Sequence, residues 1–168
     1  VGVLKNVLGE GLVGEDDIAC VTVTGGDNEV NDEGSAAVSD IATTGIVYIN
    51  SAVAIDDSEG ATDLYISATT LHLLSGSASL LTARTAVTDL YADMSGGGGI
   101  TVNEDNGITL ASVSTVNAPV TVNDAGGSIT ATSVSSGSGL VTLTADTGNI
   151  TTQSISAGTG GVTLTADL

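Results

Sequence analysis

The sequence predicts an all-β fold, a solenoid in which each coil takes about 21 residues. Three observations predict it. A 21-residue unit occurs three times in succession over residues 106–168, apolar residues alternate with Ser or Thr inside each unit, and the chain contains no Phe or Trp. A fixed period of this kind is typical of stacked repeats, whereas a compact β-sandwich of similar size would bury several aromatic side chains.

The repeated units begin at Asn106, Gly127 and Gly148. They read NGITLASVSTVNAPVTVNDAG, GSITATSVSSGSGLVTLTADT and GNITTQSISAGTGGVTLTADL. Six positions are identical in all three units, and in the first unit they are Ile108, Thr109, Ser112, Ser114, Val120 and Thr121. Identity at one fixed period favours coils that lie on one another over an antiparallel meander.

Each unit is predicted to contain about three short strands joined by glycine-containing corners. In residues 141–145 and 162–166, both VTLTA, apolar residues alternate with Thr, so one set of side chains faces inward and the other outward. Shorter strands begin near Ile129 and Ser133 and recur near Ile150 and Ser154. The corners, SGSG at 136–139 and AGTGG at 157–161, use glycine because sharp turns need backbone angles that a Cβ disfavours.

Stacking of the units has a direct consequence for the side chains. In a solenoid, equivalent residues of successive coils lie about 4.8 Å apart. Like residues then pack on like inside the coil and share hydrogen bonds outside it. The predicted columns are Val120/Val141/Val162 and Ile108/Ile129/Ile150 on the inside and Thr121/Thr142/Thr163 on the outside.

The stretch GNITTQSISAGTGGVTLTA and its two neighbours resemble the β-strand repeats of large bacterial surface adhesins, the filamentous haemagglutinin and autotransporter passenger group. The resemblance covers positions 106–168 well and the stretch before them only loosely. It implies a right-handed parallel β-helix on a secreted or surface-anchored bacterial protein. Such repeats usually form stalks, so the resemblance implies no particular ligand.

The chain is predicted to have three segments: an acidic N-terminal cap or irregular coils (residues 1–60), irregular coils (61–105) and regular repeats (106–168). Residues 1–14 are apolar but lack Met and a basic start, so they are not an intact signal peptide and are expected to form a capping helix or a first irregular coil. Cys20 is the single cysteine and is expected to be a buried thiol. The nearly continuous apolar run at 45–49 (GIVYI) predicts a well-buried strand.

Acidic and amide residues surround glycines at residues 25–34 (GGDNEVNDEG). Because calcium takes several carboxylate and carbonyl oxygens, this segment is a candidate calcium-binding turn, with an exposed acidic loop as the alternative. Its spacing matches neither an EF-hand loop nor the GGxGxDxUx repeat. Residues 56–60 (DDSEG) and 103–107 (NEDNG) are weaker candidates, and no other cofactor is expected. The candidate ligands in the main segment are Asp27, Asn28, Glu29, Asn31, Asp32 and Glu33.

The middle segment contains weaker repetition. The tetrapeptide TDLY at residues 62–65 returns at residues 88–91, a spacing that differs from the period of the regular units and suggests irregular coils. His72 alternates with apolar neighbours and is expected to point outward without a catalytic or ligand role. The strand ITV at 100–102 is followed by a similar strand, VTV, at 120–122 and leads into the regular repeats.

Charge excludes some classes of function. The 168 residues include 20 acidic side chains against Lys5 and Arg84, for a net charge of −18. Nucleic-acid binding is excluded because phosphate contacts require clustered Lys and Arg. No stretch reaches the roughly 18 apolar residues of a transmembrane helix. The acidic exterior is expected to be solvated.

These observations favour a structural or adhesive protein, a rigid solenoid segment of an extracellular adhesin or fibre at the cell surface, and not an enzyme. No catalytic or cofactor-binding residue is assigned. The third unit ends without a distinct polar cap, so the expected partners are a larger parent chain or like subunits stacked end to end. A host or cell-surface glycan or protein is a further expected partner.

Two alternatives stay open. Thr142/Thr144 and Thr163/Thr165 would form rows of hydroxyls and methyls similar to those of ice-binding solenoids, although the first unit offers Thr121/Asn123. The second alternative is a β-helix enzyme acting on polysaccharides, which would need converging carboxylates and often a basic group. Arg84 has no acid close to it in sequence, and Tyr48, Tyr65 and Tyr91 are the only aromatic platforms on offer.

Overall fold

The computed structural model describes residues 28–32, 36–38, 41–51, 55–57, 65–76 and 81–167, which form sixteen β-strands and no helix. The predicted all-β class is confirmed. Among these residues, no helix is long and apolar enough to cross a membrane. Residues 1–14 and Cys20 lie outside the described residues, so their predicted roles stay predictions.

The strands of the N-terminal coils vary in length more than those of the regular repeats. The first seven are β1 (Asn28–Asp32), β2 (Ala36–Val38), β3 (Ile41–Ala42), β4 (Ile46–Ser51), β5 (Ile55–Asp57), β6 (Tyr65–Ser75) and β7 (Leu81–Met94). The next five are β8 (Ile100–Glu104), β9 (Ile108–Thr115), β10 (Val120–Asp124), β11 (Ile129–Ala131) and β12 (Val134–Ser136). The last four are β13 (Val141–Ala145), β14 (Ile150–Thr152), β15 (Ile155–Ser156) and β16 (Val162–Ala166).

Parallel pairing stacks these strands into a β-solenoid. One path through the main sheet runs β1-β4-β6-β7-β8-β10-β13-β16, and each neighbouring pair on it is parallel. β9 pairs with β7 on one side and with β11 and β12 on the other, and those two pair with β14 and β15. β2 and β5 form a separate parallel pair. Stacked coils are therefore confirmed, while the right-handed winding stays a prediction.

The regular repeats have the predicted register. Val120 pairs with Val141 and Val141 with Val162, so equivalent residues of the three units stack. Ile129 pairs with Ile108 on one side and with Ile150 on the other. The second and third units each contain three strands as expected, whereas in the first unit the two short strands are joined in β9.

The coils before the repeats have unequal lengths. Pairing of β4 with β6 joins Tyr48 to His72, whereas pairing of β6 with β7 joins His72 to Tyr91, a shorter step along the chain. The recurrence of TDLY is therefore not a structural repeat: Tyr65 pairs with Arg84, and Tyr91 pairs with His72. The expected step from Ile100 to Val120 is confirmed. The division into three segments stays a prediction, although coil length becomes regular at β9, close to the expected boundary.

Small and branched aliphatic side chains fill the narrow core. In β10 and β13, buried and half-buried residues alternate along the strand, and the inward set of β13 is Val141, Leu143 and Ala145. Full burial of a Val or Leu side chain stabilises a fold by about 1.5–3 kcal/mol. Each coil buries few such residues, so stability depends on many coils adding together.

Two expectations about local structure need correction. The GIVYI run alternates between buried and exposed positions in β4, because Tyr48 points out of the coil between buried Val47 and Ile49. The positive φ expected of corner glycines is confirmed at Gly158 and Gly161 in the second corner but not at Gly137 in the first. A Cβ on Gly137 would instead meet the carbonyl oxygen of Val116 in the preceding coil. Close approach of two backbones therefore selects glycine at this corner.

Candidate functional site

Three rings form a stacked ladder on the outside of the solenoid. Tyr48 pairs with His72 in the next coil, and His72 pairs with Tyr91 in the coil after that. The ring centroids of Tyr48 and His72 are 4.4 Å apart, and those of His72 and Tyr91 are 4.5 Å apart and inclined by only 6°. The predicted outward orientation of His72 is confirmed, and the structure gives it two aromatic partners. We call these three residues the aromatic ladder.

Parallel register explains the ladder. Each ring follows a buried aliphatic residue and precedes another, as in Leu71-His72-Leu73, so the inward neighbours fix its outward direction. Coil spacing then places the rings at stacking distance. Burial between the rings lowers the pKa of His72 below its ordinary value of 6.5. The neutral imidazole is therefore favoured at neutral pH.

Polar and acidic side chains flank the aromatic ladder. Asp89 and Asp93 lie two residues before and two residues after Tyr91 in β7, on its outward side. Asp93 Oδ1 accepts a hydrogen bond from Ser114 Oγ over 3.1 Å. Asp93 also lines an open cleft of about 230 Å³ with Asn50, Leu74 and Ser95. An aromatic strip, two carboxylates and a shallow cleft thus lie together on one side of β4, β6 and β7.

Arg84 forms a second cluster over three successive coils. Its guanidinium lies 5.3 Å from the centre of the Tyr65 ring, a cation–π distance. Arg84 Nη2 and Nε donate to the two carboxylate oxygens of Asp105 over 2.8 and 3.3 Å. Arg84 has no acid close to it in sequence, but the adjacent coil supplies Asp105, 21 residues further along the chain. Because the pair is exposed, it contributes about 1 kcal/mol or less to stability.

Two carboxylates are buried where β8 and β10 end. Glu104 pairs in register with Asp124, and both side chains are almost fully buried. Glu104 accepts hydrogen bonds from Thr85 Oγ1 at 2.5 Å and from the Val87 amide at 3.1 Å. In the orientation that turns its amide nitrogen toward Glu104 and the Gly107 carbonyl, the Asn106 side chain donates to Glu104 Oε1 over 2.6 Å. Burial raises the pKa of Glu104, and the hydrogen bonds from the Thr85 hydroxyl and from backbone amides, including those of Val87 and Asn106, oppose the rise.

Asp124 stabilises the following corner. Its Oδ1 accepts from the amides of Gly126, Gly127 and Gly107 over 3.0, 2.9 and 3.2 Å. Its Oδ2 is buried without a hydrogen-bond partner among the described residues. Glu104 and Asp124 therefore stabilise backbone turns from inside the coil. Glu104, which belongs to the weaker calcium candidate at 103–107, has this structural role.

The main calcium candidates are only partly within the described residues. Asn28, Glu29, Asn31 and Asp32 lie in β1, so the backbone there is a strand where the sequence predicted a turn. Asp27 and Glu33 lie outside the described residues, as do residues 58–60 of the second candidate segment. In the described part of the chain, no three His, Cys, Asp or Glu side chains converge as a metal site would require. Calcium binding stays a prediction.

A column of threonines runs along the face formed by β7, β8, β10, β13 and β16. Thr82 pairs with Thr101, and the column continues through Thr121, Thr142 and Thr163. The neighbouring outward column changes from Arg84 to Asn103 and Asn123 and then to Thr144 and Thr165. Asn123 Nδ2 donates to Asn103 Oδ1 over 3.0 Å. The outer threonine column predicted for three coils is therefore confirmed and extends over five.

The aromatic ladder and the Arg84 cluster each have a signature in the sequence. Tyr48, His72 and Tyr91 share one local pattern, a ring between two aliphatic residues, and Arg84 lies one repeat length before Asp105. The chain matches no protein-family model, and no curated protein or solved structure is significantly similar to it.

Proposed function

We propose that this chain is a rigid, non-enzymatic β-solenoid segment of an extracellular adhesin or fibre at the cell surface. One observation carries the proposal: the same outward columns change chemistry along the stack. The Asp89 column continues as Thr109, Thr130 and Thr151, and the Asp93 column continues as Ser114, Ser135 and Ser156. A contact surface on the earlier coils and a stalk whose equivalent columns carry hydroxyls on the later ones would explain this change.

A further coil is the expected partner at one end of the stack. Val162 and Leu164 in β16 are each 46% exposed, although the equivalent Val141 and Leu143 are fully buried. A coil placed on β16 would bury both side chains and pair the strand's free backbone groups. That coil would come from a longer parent chain or from a second copy stacked end to end.

Display on a non-adherent cell tests the adhesive role. Cells that carry the full chain on their surface are expected to attach to immobilised proteins or glycans more than cells that carry only the display scaffold. Electron microscopy of the purified chain should show rods, and fibres if copies stack. Attachment equal to that of scaffold-only cells on every surface would argue against an adhesin.

Ice binding is a second candidate, which the five-coil threonine column favours. Equivalent threonines about 4.8 Å apart present a regular array of hydroxyls and methyls. Thermal hysteresis of the purified chain is the deciding measurement. If the column binds ice, Thr142→Lys should interrupt it and abolish the hysteresis. If it is an ordinary solenoid surface, neither the wild-type chain nor the Thr142→Lys variant should show thermal hysteresis.

A further inference from the structure

The aromatic ladder ends at Tyr91 with one ring face available. His72 covers one face of the ring at 4.5 Å. On the other side, Tyr91 pairs in register with Ser112, whose side chain is too small to cover a phenol ring. The register shift at this point leaves Ala111 unpaired beside Ser112, so a second small residue lies next to the gap. Tyr91 is 39% exposed despite its stack on His72. We call the space between Tyr91 and Ser112 the ladder gap.

The surroundings of the ladder gap favour a positive charge. Asp89 and Asp93 lie on the same side of β7, each about 6.6 Å along the strand from Tyr91. A carboxylate has several acceptor positions, and the hydrogen bond from Ser114 occupies only one on Asp93. The whole chain has a net charge of −18, which repels anionic ligands and attracts cationic ones.

The molecule itself contains an arrangement that fills such a gap. Tyr65 pairs in register with Arg84, as Tyr91 pairs with Ser112. The Arg84 guanidinium covers the Tyr65 ring at 5.3 Å and binds Asp105 through two nitrogens. At Tyr91 a ring and nearby carboxylates are both present, but the guanidinium is replaced by the Ser112 hydroxyl. The carboxylates differ in position. Asp89 and Asp93 lie on the same coil as Tyr91, whereas Asp105 lies one coil beyond Arg84.

We propose that the ladder gap binds a guanidinium group, the arginine side chain of a cationic protein partner. The planar group stacks on the free face of Tyr91 and directs its N–H groups to Asp93 or Asp89. Arginine suits this site better than lysine because its flat, forked guanidinium can stack on a ring and donate to a carboxylate at the same time. The site rests on the adhesive function proposed above and deepens it by naming the chemistry of the partner.

Peptide titration of the full chain tests this site against general charge attraction. Tetra-arginine and tetra-lysine peptides carry equal charge, so a −18 chain without a specific site should bind them alike. We expect tetra-arginine to bind about two- to fivefold more tightly. Tyr91→Ala removes the ring without changing the charge and should abolish that preference. Ser112→Tyr fills the gap with a fourth ring and should abolish it too, whereas Ser154→Tyr, the same change in a later repeat, should not.

A charge-matched pair of variants completes the test. Asp93→Asn and Asp146→Asn each remove one negative charge, and only the first should weaken the preference for arginine. Circular dichroism confirms that each variant is folded. Equal binding of the two peptides, or a preference that survives both Tyr91→Ala and Ser112→Tyr, would overturn the site. Cells displaying the Tyr91→Ala chain that still attach fully would overturn this site while leaving the adhesin proposal intact.

Discussion

Glu104 links a buried side chain to the pH dependence of stability. Burial raises its pKa above the ordinary value of 4.5. The folded chain therefore holds this proton more tightly than the unfolded chain does. Stability contributed by Glu104 is fully present below about pH 4.5 and is lost as pH rises through the raised pKa. At neutral pH the charged Glu104 carboxylate therefore destabilises the folded chain, and its hydrogen bonds only partly offset this effect.

Glu104→Gln is expected to remove that pH dependence. Gln has a similar shape and no charge, so the free energy of unfolding of the variant should improve relative to wild type as pH rises from about 4 to 7. Urea unfolding at several pH values measures the difference. Asp146→Asn, at an exposed corner, is the control and should show a smaller change. A Glu104→Gln difference that is constant over the whole range would contradict the role assigned to burial.

Gly137 shows how close the corners of successive coils approach. A Cβ on this residue would meet the Val116 carbonyl oxygen and lie 3.0 Å from Asn117 Oδ1. Gly137→Ala should therefore force the two corners apart and destabilise the chain by about 1–3 kcal/mol. Ser138→Ala, at the exposed neighbouring position, should cost about 0.5 kcal/mol or less. Thermal melts compare the two, and equal losses would show that the corners can shift freely.

At the scale of the strand, one repeat position allows a matched comparison of burial. Leu143 in β13 and Leu164 in β16 occupy equivalent positions and pair in register, but Leu143 is fully buried and Leu164 is 46% exposed. Leu143→Ala should destabilise the chain by about 2–5 kcal/mol, and Leu164→Ala by less than about 1 kcal/mol. Denaturant unfolding measures both. Comparable losses would mean that a further coil, from a second copy, already covers β16 in solution.

The regular strands could be predicted from sequence, and the candidate site could not. In the repeats one fixed period places every residue, so the Val141 and Ile129 columns follow from that period alone. Before β9 the spacing changes from coil to coil, and the step from Tyr48 to His72 is longer than the step from His72 to Tyr91. No single period brings these rings together. The two TDLY tetrapeptides do not stack, because identical residues need not lie in register when coils differ in length.

Register between unequal coils therefore decides where function can lie. Although the coils differ in length, the described strands keep their inward aliphatic positions in the common core. Outward positions carry no packing constraint of this kind, so they are free to differ from coil to coil. This freedom allows the aromatic ladder and its acids on β4, β6 and β7 to lie on the same framework whose Asp89 and Asp93 columns continue as Thr and Ser further along the stack.

At the scale of the whole molecule, electrostatic repulsion between acidic side chains is the main long-range interaction. Twenty acidic residues oppose two basic ones, and Arg84 already pairs with Asp105. Stacked coils repeat outward positions about every 4.8 Å, which is well inside the Debye length of about 8–10 Å at physiological salt. Carboxylates on neighbouring coils therefore repel one another in the folded rod more than in the expanded unfolded chain.

Raising the NaCl concentration is expected to stabilise the folded chain. Screening shortens the Debye length from about 30 Å at 0.01 M to about 8 Å at 0.15 M, which weakens the repulsion between acidic side chains. Each kcal/mol gained should raise Tm by about 2–4 °C for a chain of this size. Calorimetry in NaCl and in the same ionic strength of choline chloride separates general screening from binding of a specific cation. If Tm stays level in both salts, the acids are too far apart to repel and the charge argument fails; if only one salt raises Tm, an ion site on the acidic coils is responsible instead.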